Sequence, residues 1–266
     1  MSEQDAGPQQ DGQQPTGQQP TGQWVTYPAW VEDAPASFLV RADLQQERPA
    51  FEAFYLVALQ LLDPGEHGMG EASDAETLWQ LEDELEPPIA QLGLVYVGRV
   101  RNLGEWRLCF YGEPGRQEAL TSLLESALQG ARRDFRVSER EDSSWSVYEQ
   151  FLLPDAERWQ WIQDAQQLQA LEEHGDRHER ARPIDHTLYF PSDAQRDACA
   201  TAAARLGFRP QLLEAQPDYE HPYGLDLTRE DPVELEHIHD VVMQLSELAE
   251  GHGGQYDGWG CEVVSD

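Results

Sequence analysis

At 266 residues the chain is long enough for two ordinary domains, each with its own core. It carries 50 acidic side chains against 18 basic ones, all arginine, for a formal net charge of −32, a surface that repels phosphate backbones and disfavours unaided nucleic-acid binding. The same acidity fits cationic partners, above all arginine-rich protein segments, and equally fits adaptation to a high-salt cytoplasm.

Residues 1–23 hold glutamine, proline, glycine, threonine and acids, with QQPTG at 13–17 and again at 18–22. Without apolar side chains to offset the entropy of ordering, this tail is expected to be disordered. Order is expected from Trp24. Two extended stretches, 24–31 and 36–42, flank Glu32-Asp33-Ala34-Pro35 and predict a hairpin. The apolar run 51–62 reads as a buried strand. Ser73-Asp74-Ala75-Glu76 has the spacing of a capping box, followed by Leu78, Leu81 and Leu85 at helical period. Pro87-Pro88 is expected to stop or kink that helix, leaving residues 89–92 as a last turn.

Two strands, 93–100 and 105–111, meet across Arg101-Asn102-Leu103-Gly104. A second helix is predicted over 117–129, with Leu120, Leu123, Leu124 and Leu128 as its stripe, and a last strand over 134–140. From residue 51 the order is β-α-β-β-α-β, the split pattern of a ferredoxin-like sandwich, here with an extra N-terminal hairpin. Residues 24–154 form this first α+β domain. A glutamine-rich helix and a polar linker ending in Pro183 are expected over 155–181.

Residues 182–266 repeat the order. Ile184, His186, Leu188 and Phe190 alternate on one face of the first strand. Ser192-Asp193-Ala194-Gln195 is a second capping-box start. Asp231-Pro232-Val233-Glu234, with Asp at the N-cap and Pro at the first helical position, is the best-punctuated helix start in the chain. After Gly253-Gly254 a final strand, 256–264, is predicted to put Trp259, Cys261 and Val263 on one face and Tyr256, Gly258 and Gly260 on the other. The fold class is thus α+β, two tandem ferredoxin-like (βαββαβ) sandwiches.

Chemistry is sparse. Cys109, Cys199 and Cys261 form no CxxC pair and read as free thiols of a reducing compartment, consistent with a cytoplasmic protein. No stretch approaches membrane-spanning length, and no phosphate loop, nucleophile elbow or HExxH motif is found. His174 and His178 have chelating spacing, but Gly175 breaks the helix between them and no third ligand follows; His237 and His239, two apart on a helix, cannot face one ion. No cofactor, metal site or catalytic residue is expected.

The segments 182–190, Leu206-Gly207-Phe208 and Gly253-Gly254-Gln255-Tyr256-Asp257-Gly258-Trp259 resemble the regulator of ribonuclease E activity B, a bacterial ribonuclease E inhibitor family, over about 182–264. The first half resembles a domain-of-unknown-function family, number six-ninety-five, through Trp24, Pro35-Ala36, Gly98-Arg99, Asp142, Trp145, Tyr148 and Pro154. The resemblance implies a noncatalytic regulator that binds an endoribonuclease through its arginine-rich scaffold region. Asp185, His186, Tyr189, Tyr256, Asp257 and Trp259 are then the candidate partner-binding residues. Two other expectations stay open: a single-stranded RNA-binding module, and a small-molecule or enzymatic role for the first domain that uses acids such as Asp142.

Overall fold

In the computed structural model, residues 23–46, 48–131 and 133–265 are described. The tail expected over 1–23 therefore lies outside the described residues except for Gln23. The chain is mixed α+β, with two antiparallel sheets and helices packed on them. It divides into two compact units, one ending at Leu153 and the other beginning at Pro154.

In the first unit β1 (Trp24–Val31) and β2 (Ala34–Arg41) pair antiparallel across a two-residue turn. Glu32 and Asp33 both have positive φ, 53° and 60°, a geometry whose twist matches that of the strands. Then follow β3 (Ala53–Gln60), α1 (Ala72–Gln91), β4 (Val95–Asn102), β5 (Glu105–Gly112), α2 (Gln117–Ala127) and β6 (Phe135–Glu141). The sheet order is β1-β2-β4-β5-β3-β6. Alternation along β3 sends Tyr55, Val57 and Leu59 into a core with Leu78, Leu85, Ile89, Leu120 and Leu124 from the two helices. Its other face meets a π-helical turn at Tyr148–Leu152, tied down by Tyr148 Oη donating to the Arg41 carbonyl at 2.5 Å.

The expected start of α1 fails. The helix begins at Ala72, so Ser73 lies inside it and caps nothing. Asp74 is drawn instead to the Leu62 amide, at 2.8 Å, and to a buried ion pair with Arg133. The last turn expected past the prolines is present: the helix runs through Pro87 and Pro88 to Gln91. Each removes a ladder hydrogen bond, at about 3 kcal/mol for an interior proline. Pro87 is exposed, so water reaches the freed carbonyls on that side, while Leu85 and Ile89 at 1 % exposure hold the helix to the core.

The second unit opens with α3 (Ala156–Glu173), which the sequence had placed between domains but which packs on α5. It continues with β7 (Arg182–Phe190), α4 (Asp193–Arg205), β8 (Arg209–Leu212), β9 (Tyr223–Asp231), α5 (Leu235–Gly251) and β10 (Gln255–Cys261), in the sheet order β10-β7-β9-β8. Ser192 does cap α4, accepting from the Gln195 amide at 3.3 Å. Asp231 does not cap α5. It ends β9, opposite Arg182, and its carboxylate is taken by Arg229 and His237, so the helix starts three residues later than its sequence signals suggest.

Candidate functional site

Ile184, His186, Leu188 and Phe190 are all fully buried beneath α4 and α5, as their alternation predicts. The last strand departs from simple alternation. Its register slips between Tyr256 and Gly258, leaving Asp257 as a bulge, and the slip reverses parity. Tyr256 therefore joins Trp259 against the core, not the opposite face. Gly253 supplies a left-handed φ of 72°, and Gly254 lets the strand start against Phe190, whose ring would lie 2.3 Å from an added Cβ.

The six candidate residues separate into two groups. His186, at 0 % exposure, and Trp259, at 8 %, have almost no surface to offer a partner. His186 Nδ1 meets Tyr256 Oη at 2.9 Å, and burial holds its pKa down at about 4. Trp259 donates its indole N–H to Asp164 of α3 at 3.0 Å, and the same carboxylate meets His239 of α5 at 2.9 Å. These residues brace the sheet from below. Asp185, Tyr189 and Asp257 lie on the other side.

That outer face is formed in register by Asp185, Thr187 and Tyr189 of β7, Asp226 and Thr228 of β9, Arg209 and Gln211 of β8, and Gly258 and Gly260 of β10. Threonine hydroxyls cross between strands, Thr187 to Asp226 at 2.8 Å and Thr228 to Asp185 at 2.6 Å, and fix two carboxylates on the surface. Beside Gly258 and Gly260 an added Cβ would meet nothing within 4 Å, so the β10 side of the face is bare backbone. At one end the 216–221 loop rises beside Tyr189. Together with Gln255 and Asp257 it encloses a cavity of about 370 Å³ that presents two phenol rings, Tyr189 and Tyr219, and two carboxylates, Glu220 and Asp257. Partial burial raises the Tyr189 pKa, helped by the negative charge of Asp257 and Asp226. Aromatic faces next to carboxylates suit a guanidinium, which can stack and accept charge pairing at once.

Of the residues on this face, the sequence pattern singled out Asp185, Tyr189 and Asp257 and did not single out Tyr219, Glu220 or Asp226. Parity with β7 would have found Asp226. Nothing local marks the loop.

In the first unit Asp142 is 6 % exposed, and its carboxylate is committed to Tyr111 Oη at 2.6 Å, to the Ser146 and Val147 amides and to the Ser146 hydroxyl. Those bonds hold its pKa well below the usual carboxylate range against the opposing effect of burial. It caps the turn that covers the sheet and has no lone pair left for proton transfer. Trp145, held at a positive φ of 59°, stacks on Tyr111 with ring centroids 3.9 Å apart. No group of three His, Cys, Asp or Glu among the described residues is placed to hold a metal, and no helix among them is long and apolar enough to cross a membrane.

The fold and this face define an acidic α+β protein of two units, the second of which displays an open sheet surface. Residues 161–261 match the family model described as Regulator of ribonuclease activity B (RraB), and residues 22–153 match that of the Family of unknown function (DUF695). The first segment of the chain is thus similar to the DUF695 family and the second to the RraB family. No curated protein matches it. Solved structures similar to the chain include a candidate glycine cleavage system transcriptional repressor, 11 % identical over 80 % of this chain and 100 % of that one, with a TM-score of 0.23. Another is an unknown protein from Galdieria sulphuraria, 14 % identical over 80 % and 98 %, with a TM-score of 0.22.

Proposed function

We propose that the chain is a noncatalytic, cytoplasmic regulator of an RNA-degrading ribonuclease, and that the RraB domain docks its open sheet face on an arginine-rich segment of that enzyme. Both units are read as ferredoxin-like: in each βαββαβ stretch the strands lie in the order fourth, first, third, second. On this reading the first domain spans about 24–154 and the inhibitor-like domain 182–266, with α3 as a brace for the latter.

The observation that carries the proposal is the cavity where Tyr189 and Tyr219 meet Glu220 and Asp257. One arginine side chain of the partner fills it, and Asp185 and Asp226 steer the rest of a basic segment onto the face. The same carboxylates oppose stacking of phosphate-bearing bases on Tyr189, which disfavours the RNA-binding alternative.

The test is calorimetric titration of the full chain with a synthetic arginine-rich peptide at moderate salt. Saturable binding that weakens about tenfold in Asp257→Asn and in Tyr189→Ala supports the proposal, each change removing roughly one charge-assisted or cation–π contact. Absence of binding, or binding by both variants as tight as that of the native chain, rejects it.

A further inference from the structure

The first unit holds a second site, on the sheet face turned away from α1 and α2. A cavity of about 350 Å³ opens there, within the range of small-molecule sites. Its floor is apolar: Leu56 of β3, Val100 of β4 and Cys109 of β5. One wall is the covering turn, through Val147 and the 41 % exposed ring of Phe151.

Two arginines line the same cavity. Arg107 of β5 stands opposite Ala58, and Arg140 of β6 opposite Phe54, so both point to the floor's side of the sheet from strands that flank β3. Arg140 lies over the Phe54 ring at 5.3 Å and makes no ion pair among the described residues. Arg107 pairs with Glu105 through Nε at 2.7 Å, which leaves its terminal amino groups without a protein partner among the described residues. Burial pushes the Cys109 thiol up to about 12, and the charge of both guanidiniums opposes that shift. In a chain with 50 acids to 18 arginines, an arginine left without a carboxylate beside an apolar cleft is available to an outside anion.

We propose that this cleft binds a small monocarboxylate with an apolar body, whose carboxylate is received by Arg140 and Arg107 and whose body lies on Leu56, Val100 and Cys109 against Val147 and Phe151. The ligand class follows from the lining. A dianion such as phosphate would leave the floor bare, and a neutral hydrocarbon would leave both guanidiniums unused. The site belongs to the first unit and does not depend on the docking face of the second unit.

Decanoate, titrated into the full chain below its micellar concentration, is the probe, with decanol as the uncharged and decylamine as the cationic comparison. One-to-one saturable binding of decanoate, at least tenfold tighter than either comparison, is expected. Arg140→Gln, on an exposed strand position, weakens decanoate roughly tenfold through loss of a charge-assisted hydrogen bond and leaves decanol unchanged. Leu56→Trp fills the floor and abolishes binding while circular dichroism stays native. The proposal fails if decanoate shows no saturable binding, if decanol or decylamine binds as well, or if Arg140→Gln leaves the decanoate affinity unchanged.

Discussion

Trp259 of the last strand donates its indole N–H to the carboxylate of Asp164, 95 residues earlier, at 3.0 Å in a buried setting. Because His239 meets the same carboxylate, one side chain ties α3, α5 and β10 together. Removing it orphans two buried ring nitrogens. Asp164→Ala is therefore expected to destabilise the protein by about 2–3 kcal/mol, the penalty for buried groups left unsatisfied. Urea unfolding measures this, and an unchanged midpoint would contradict it.

His186 supplies a pH dependence. Its folded pKa, about 4, lies below the free value of 6.5 because the ring is buried. The folded state therefore takes up this proton less readily than the unfolded chain. The contribution is fully present above pH 6.5 and is lost as the pH falls through about 4, on the order of 3 kcal/mol at ~1.36 kcal/mol per pKa unit. His186→Phe should flatten that stretch of the stability profile, and an equally steep profile in the variant would count against the assignment.

Asp142 acts at lower pH. Its depressed pKa gives stability that is present above the free carboxylate value of 3.8 and lost as the pH falls toward the folded one. Asp142→Ala leaves the Ser146 and Val147 amides and Tyr111 Oη without their acceptor, at a cost of about 2–3 kcal/mol. The loss of near-ultraviolet dichroism from the Trp145–Tyr111 stack reports release of the covering turn.

Leu103 sits at φ 50° in the two-residue turn between β4 and β5, followed by Gly104 at 76°. A leucine pays steric strain there that asparagine largely avoids. Leu103→Asn is expected to raise stability by about 0.5–1 kcal/mol, visible as a higher urea midpoint.

Docking on the outer sheet face predicts a salt signature. Affinity for an arginine-rich peptide should fall steeply as ionic strength rises, and Asp226→Asn combined with Asp257→Asn should make that fall shallower. A salt-independent affinity in the native chain would remove charge from the account.

The strands that pair simply were legible from pattern. Ile184, His186, Leu188 and Phe190 alternate, and all four are buried. The hairpin about Glu32-Asp33 and the element order β-α-β-β-α-β could also be read locally, since turn chemistry and hydrophobic period act over a few residues. The candidate surface was only half legible. Asp185, Tyr189 and Asp257 are on it, whereas His186, which alternates with the buried residues of β7, and Trp259 are under it.

What the sequence determined by itself was therefore the periodicity of each strand and helix and the excess of negative charge. Tertiary structure alone decided the parity of β10, where one bulged residue moved Tyr256 to the core, and the employment of Asp231, whose carboxylate went to Arg229 rather than to a helix cap. It also carried α1 through two prolines. In each case a local preference of about 1–3 kcal/mol yields when the folded surroundings, near in the chain or far, supply a partner or a core face worth more.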